Sequence, residues 1–171
     1  MKKIDFYLKD GQIAKDRTVM TLAEKYLEKA KNNLITMRIL FDLKDKKKKE
    51  SLKIPFDYDS NEWVVITGYY AMYAAALALL AKIGFRSKNH TATLFLLDEY
   101  FVKKKHLDKM DFLLIKKALF QKEEIERLSD AKHKREIAQY SITKETTRSI
   151  AEKIISDAYE FVNKVEEIIN K

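Results

Sequence analysis

The sequence predicts an all-α protein, an up-and-down antiparallel bundle of four to five helices, and three observations predict it. Apolar residues recur at spacings of three and four through most of the chain, the period of a helix that buries one face. Three glycines and a single proline, Pro55, are too few to supply the turns of a many-stranded sheet. The stretch over residues 61–83 is apolar around its whole circumference and so needs neighbours on several sides.

At 171 residues the chain fits one domain. Residues 1–20 read as an N-terminal extension of partial order with a turn at Gly11, and residues 21–171 as a single bundle domain. Thr21-Leu22-Ala23-Glu24 has the form of a capping box, with the threonine taking a free backbone N–H and the glutamate reaching back. A first helix is therefore expected from Thr21 to about Leu43, with Leu27, Ala30, Leu34, Met37, Ile39, Leu40 and Phe41 as its apolar stripe. Lys44 to Lys49 holds five lysines and one aspartate, and with Pro55 following reads as an exposed connection, either a solvated loop or an anion-binding arm.

A second helix is expected from Asn61 to Ile83, ended in a left-handed cap by Gly84. Its alanines at 71, 74, 75, 76, 78 and 81 let neighbouring helices come close, which makes it the central element. A third helix, Thr91 to Val102, faces inward with Leu94, Leu97 and Phe101, and Lys103-Lys104-Lys105-His106 puts positive charge at its C-terminus. A fourth covers Leu107 to Ala138, with Met110, Leu113, Leu114, Ala118, Ile125 and Leu128 inward and room for a break. Thr143 is the expected N-cap of a last helix ending near Asn170, which buries Ile150, Ile154, Ile155, Ala158, Phe161, Val162, Val165 and Ile169.

The absence of cysteine removes disulfides, thiolate nucleophiles and cysteine-ligated metals, and suits a reducing cytoplasm. The N-terminus has no secretory-signal pattern, so export is not expected. The charge-free run from Trp63 to Ala81 approaches the ~20 residues of a bilayer span. Gly68, Tyr69, Tyr70 and Tyr73 within it would leave hydroxyls unpaired in hydrocarbon, so a buried core helix is expected and no membrane. A net charge of +8 favours an anionic partner, although lysines scattered over helix faces give the same total.

There is no glycine-rich phosphate loop, and His90, His106 and His133 are too dispersed to predict a metal site, so neither metal nor cofactor is expected. Tyr69, Tyr70 and Tyr73 read as core and dimer contacts with hydroxyls at the rim, in preference to a base-stacking platform.

Three blocks stand in a distinctive order. Tyr69-Tyr70-Ala71-Met72-Tyr73-Ala74-Ala75-Ala76-Leu77-Ala78-Leu79-Leu80 leads into Gly84-Phe85-Arg86-Ser87-Lys88-Asn89-His90. Lys134-Arg135-Glu136-Ile137-Ala138-Gln139-Tyr140 follows, and then Ala151 to Ile169 with Ala158-Tyr159-Glu160-Phe161-Val162 inside it. In this order the chain resembles the HEPN family of small helical, nucleotide-binding and RNA-cleaving domains, over roughly residues 20–170. The resemblance implies a homodimer and a nucleotide or RNA partner. In the family's ribonucleases it implies an arginine followed four to six residues later by histidine, with no metal required. There the imidazole moves a proton and the guanidinium holds phosphate.

Here Arg135 is followed five positions on by Tyr140, where those ribonucleases place histidine. A phenol with a pKa of about 10 is a poor general base at neutral pH, but it can hydrogen-bond or stack. The expected functional centre is therefore Arg135 and Tyr140, with His133 as a further catalytic candidate and Arg86, His90, Arg127 and Lys134 as nucleotide- or RNA-binding residues. Arg127 and His133 have a literal family spacing, but on one unbroken helix they stand about 120° apart and converge only if the helix bends. The leading expectation is a nucleotide- or RNA-binding module. A small nucleotidyltransferase partner, as in toxin–antitoxin pairs, is implied by the resemblance. The alternatives are a metal-independent endoribonuclease with imidazole from His133 or His90, and a scaffold that binds only protein.

Overall fold

The structure, a computed structural model, describes residues 3–132 and 140–171, with side chains over 4–126 and 147–171. Four long helices make the bundle: α2 (Ala23–Asp42), α4 (Asn61–Lys82), α6 (Lys109–Lys132) and α7 (Tyr140–Ile169). Shorter elements join and flank them: α1 (Lys3–Lys9), β1 (Ile13–Lys15), a 3-10 turn (Arg17–Leu22), α3 (Lys46–Ser51), β2 (Phe85–Ser87) and α5 (His90–Leu97), which runs into a π-helical turn (Asp98–Val102).

Contacts fix the directions. Ser60 at the start of α4 donates to Leu40 O near the end of α2 at 2.7 Å, so these two helices are antiparallel. Gly68 faces Ile154, and Lys82 at the end of α4 reaches the carbonyl of Ile169, so α4 and α7 run parallel. Asp111 early in α6 feels Lys164 late in α7, which makes that pair antiparallel. The result is the expected up-and-down, mostly all-α bundle.

Alanine content explains the centre. Ala71, Ala75, Ala76 and Ala78 are buried together with Val64, Val65, Met72, Leu79 and Leu80, so α4 is enclosed by α2, α6 and α7. Helix α4 is long and apolar enough to cross a membrane, but 72% of its most apolar stretch is buried inside the bundle. It is spent on the core, as expected for a core helix.

Several expectations need correction. Residues 3–20, expected to be only partly ordered, form α1, β1 and the 3-10 turn. Tyr7 and Ile13 enter the main core cluster. Strand β1 pairs antiparallel with β2 in the register Ile13↔Ser87, Ala14↔Arg86, Lys15↔Phe85, a small sheet that was not expected. The capping box does not form. Thr21 donates back to Thr18 O, α2 starts at Ala23 without a side-chain cap, and Asp16 caps the 3-10 turn by accepting from Thr18 N. Ile39, assigned to the stripe of α2, is exposed.

The lysine run is not a loop. Asp45 caps α3 by accepting from Lys47 N, and Lys49 is buried. Helix α6 buries Asp111, Ile115, Ala118, Lys122 and Ile125, whereas Met110 and Leu113 are 69% and 50% exposed. The side chain of Leu128 and residue Ala138 lie outside the described residues. Helix α7 is described from Tyr140, so Thr143 lies inside it instead of capping it. Gly84 does adopt the left-handed conformation, φ +75°, and its N–H closes on Ala81 O.

Candidate functional site

His133, Lys134 and Arg135 lie outside the described residues, as do the side chains of Arg127 and Tyr140. Arg127 belongs to α6, and Tyr140 opens α7. The geometry that can be built from side chains is that of Arg86 and His90.

The two separate. Arg86 sits mid-strand in β2, on the opposite face from Phe85, and its Nε pairs with Asp16 Oδ2 at 2.7 Å. The carboxyl of Asp16 is held below the usual range by the hydroxyl and N–H of Thr18, and further by Arg86. Arg86 thus ties β2 to the start of the 3-10 turn. His90 is the first residue of α5, placed there because Asn89 is extended and caps the helix by accepting from Ala92 N at 2.8 Å. No described contact joins Arg86 to His90.

His90 turns into the bundle instead. Its Nδ1 hydrogen-bonds the hydroxyl of Tyr69, and its ring lies 4.6 Å from that of Tyr73. Tyr69 and Tyr73 stack at 5.9 Å. From α6, the ammonium of Lys122 stands 5.7 Å from the Tyr69 ring centre and 5.6 Å from that of Tyr70, and pairs with Glu126 at 3.0 Å. The buried hydroxyl of Thr93 lies 3.4 Å from that of Tyr73. One apolar-walled niche therefore holds an imidazole, three phenol rings and an ammonium.

Electrostatics sets the protonation states. Burial pushes the Tyr69 phenol well above its ordinary value, so it keeps its proton. Burial, with the charge of Lys122, pulls His90 below the usual imidazole range, so it is neutral at pH 7. The Tyr69 hydroxyl and Nδ1 of His90 share one hydrogen bond, and the imidazole tautomer decides which of the two donates. Burial works to lower Lys122, but its hydrogen bond to Glu126 and the nearby phenol and carboxylates hold it above its ordinary range.

Sequence reasoning missed Lys122 and Thr93. A signal for Lys122 existed: Ile115, Ala118 and Ile125 form one helical row with position 122 in its gap. Thr93 had none.

The sequence model of the HEPN domain matches residues 19–168. The chain belongs to the HEPN domain family. It is 33% identical over 122 residues to a UPF0332 protein of Archaeoglobus fulgidus, an alignment that covers 71% of this chain and 86% of that protein. No solved structure gives a significant match. The HEPN match spans every candidate named from the sequence, from Arg86 to Tyr140, and leaves α1 and β1 outside it. HEPN membership supports a nucleotide- or RNA-related module in general terms.

Proposed function

We propose that this HEPN protein is a nucleotide- or RNA-binding module, with Arg135 holding phosphate and Tyr140 hydrogen-bonding or stacking beside it. Lys134 and Arg127 add positive charge, and the protein works as a cytoplasmic homodimer beside a small nucleotidyltransferase in a toxin–antitoxin-like pair. The observation that carries the reading is the extent of the HEPN match, residues 19–168, which takes in the whole four-helix bundle. The net charge of +8 supports it. The partly exposed Trp63 and Tyr70 on α4 offer a second copy an aromatic face.

Tyrosine at position 140 favours binding over cleavage, because an unperturbed phenol, with a pKa of about 10, is a poor general base at neutral pH. In the test, wild type, Arg135→Ala and His133→Ala are incubated with structured RNA in chelator, and binding is titrated with salt. The expected result is intact RNA, with salt-dependent binding weakened in Arg135→Ala. Cleavage that either substitution abolishes would replace this reading with a metal-independent endoribonuclease. No affinity for RNA or nucleotide at low salt would leave a protein-binding scaffold.

A further inference from the structure

The connection between α2 and α4 is held in a form that water alone would not favour. Lys49 on α3 is 8% exposed, and its ammonium donates to the carbonyls of Phe56 at 2.8 Å and Tyr58 at 2.6 Å. Helix α3 ends on Lys53 at φ 55°, a left-handed conformation that a side chain resists and glycine would take freely. With the main chain clamped in this way, the rings of Phe56 and Tyr58 stand outside, 64% and 38% exposed. A buried lysine and a strained turn are thus used to present two aromatic rings to solvent, where the hydrophobic effect would turn them inward.

Phe56 and Tyr58 line a cleft of about 490 Å³, a volume in the range of small-ligand sites. Phe41 of α2 and Arg148 and Glu152 of α7 line it as well. Lys44 stands 3.8 Å from the centre of the Phe41 ring, and the exposed Arg148 pairs with Glu152 at 3.3 Å. Charge is divided between inside and rim. Along the lining, Lys44, Lys49 and Arg148 are matched by Asp57, Asp59 and Glu152. At the rim, the stretch 45–53 adds Lys46, Lys47, Lys48 and Lys53 against Asp45 and Glu50; Asp45 is already committed to capping α3, and Lys48 pairs with Asp42 at 2.6 Å.

We propose that this cleft is a docking subsite for single-stranded RNA, in which a base enters against Phe56 and Tyr58 while the flanking phosphates lie on the lysine rim and Arg148. The inference rests on the nucleic-acid-binding reading above and adds to it a site that the family motif does not contain. An aromatic pocket of near-zero net charge with a cationic edge matches a ligand whose bases are neutral and whose backbone is anionic. The carboxylates inside accept from base amino groups, and they would repel an acidic peptide. Arg148 lies eight residues beyond Tyr140 on α7, about 12 Å along the helix axis, within the reach of one short strand.

The test uses the full chain and short labelled oligo(U) and oligo(A) at low salt, with 5-bromouridine crosslinking mapped by mass spectrometry. Phe56→Ala and Tyr58→Ala are each expected to weaken binding about tenfold, the size of one base–aromatic stack. Lys44→Ala and Arg148→Ala are expected to flatten the salt slope by about 0.7 for each phosphate that is no longer neutralised. All four side chains are exposed or half-exposed, so the thermal midpoint should hold, and crosslinks should fall on the segment 53–60. Wild type that binds RNA while the Phe56→Ala/Tyr58→Ala double variant binds equally well would overturn the subsite and leave the module reading intact. Displacement of the oligonucleotide by AMP at equal concentration would overturn the multi-phosphate assignment. Absence of any RNA binding by wild type would remove both readings.

Discussion

Tyr69 and His90 are a pair in which each side chain settles the state of the other. Tyr69→Phe keeps the ring and its stacking on Tyr73 but leaves Nδ1 of His90 without its hydrogen-bond partner. His90 is only half-buried, so water can partly replace the bond, and the expected loss is about 1 kcal/mol, read as a lower denaturant midpoint at constant slope. The pH dependence has a definite sign. Folding lowers the affinity of His90 for a proton, so the unfolded chain binds more protons below its ordinary pKa of about 6.5. Stability contributed by the neutral imidazole is full above that value and is lost as pH falls from it toward the depressed folded value. Lys122, Glu123 and Glu126 face it from α6, and Tyr69 and Tyr73 from α4. The difference in stability between pH 7 and pH 5 should therefore shrink in His90→Gln. An unchanged difference would show that other groups carry it.

Among the elements, α3 shows how a local rule and a distant contact combine. Asp45 starts it and Lys53 closes it, but its place is held by Lys49 reaching across to Phe56 O and Tyr58 O. Lys49→Met keeps the apolar stem and removes both donors. Hydrogen bonds to a charged group contribute about 1.5–3 kcal/mol each, but the exposed Phe56 and Tyr58 let water take over part of both, so the segment 46–60 should open more readily by about 2 kcal/mol. Amide exchange there should accelerate on the order of thirtyfold while the centre of α4 is unaffected. Equal acceleration in both would mean that α3 and the bundle open together. The lysine run was legible as charge but not as helix, because its burial depends on carbonyls seven and nine residues away. Helix α4 was legible almost to the residue, since an all-round apolar cylinder closed by Gly84 admits few alternatives. The face of α6 was hidden for the opposite reason. Its buried row contains Asp111 and Lys122, so apolarity alone selects the neighbouring row with Met110 and Leu113. In the site, the histidine and the tyrosines were visible as residues, but their meeting across the 21 positions from 69 to 90 has no periodic signature.

For the molecule as a whole, the N-terminal segment matters more than its position at the chain end suggests. Tyr7 packs on Phe95 at a ring distance of 5.0 Å, and Ile13 is buried in the main core cluster. Lys88 N donates to Gln12 O, and Asn89 Nδ2 donates to Gln12 Oε1 at 3.0 Å. Asn89 is the cap that sets the start of α5, and His90 is the next residue. The segment 3–16 therefore braces the loop that aims His90 at Tyr69, although it lies outside the HEPN match. Burial of a large apolar side chain contributes about 1.5–3 kcal/mol, so deleting residues 1–16 forfeits roughly 3–6 kcal/mol from Tyr7 and Ile13 alone. At about 2–4 °C per kcal/mol for a chain of this size, the thermal midpoint should fall by about 10 °C or more. The His90 ring signals, followed by NMR at a temperature where the truncated chain is still folded, should move toward those of an exposed imidazole. A truncated chain with an unchanged midpoint and unchanged His90 signals would show that the bundle positions α5 without the N-terminal segment. In that case the pairing of Arg86 with Asp16 would be dispensable as well.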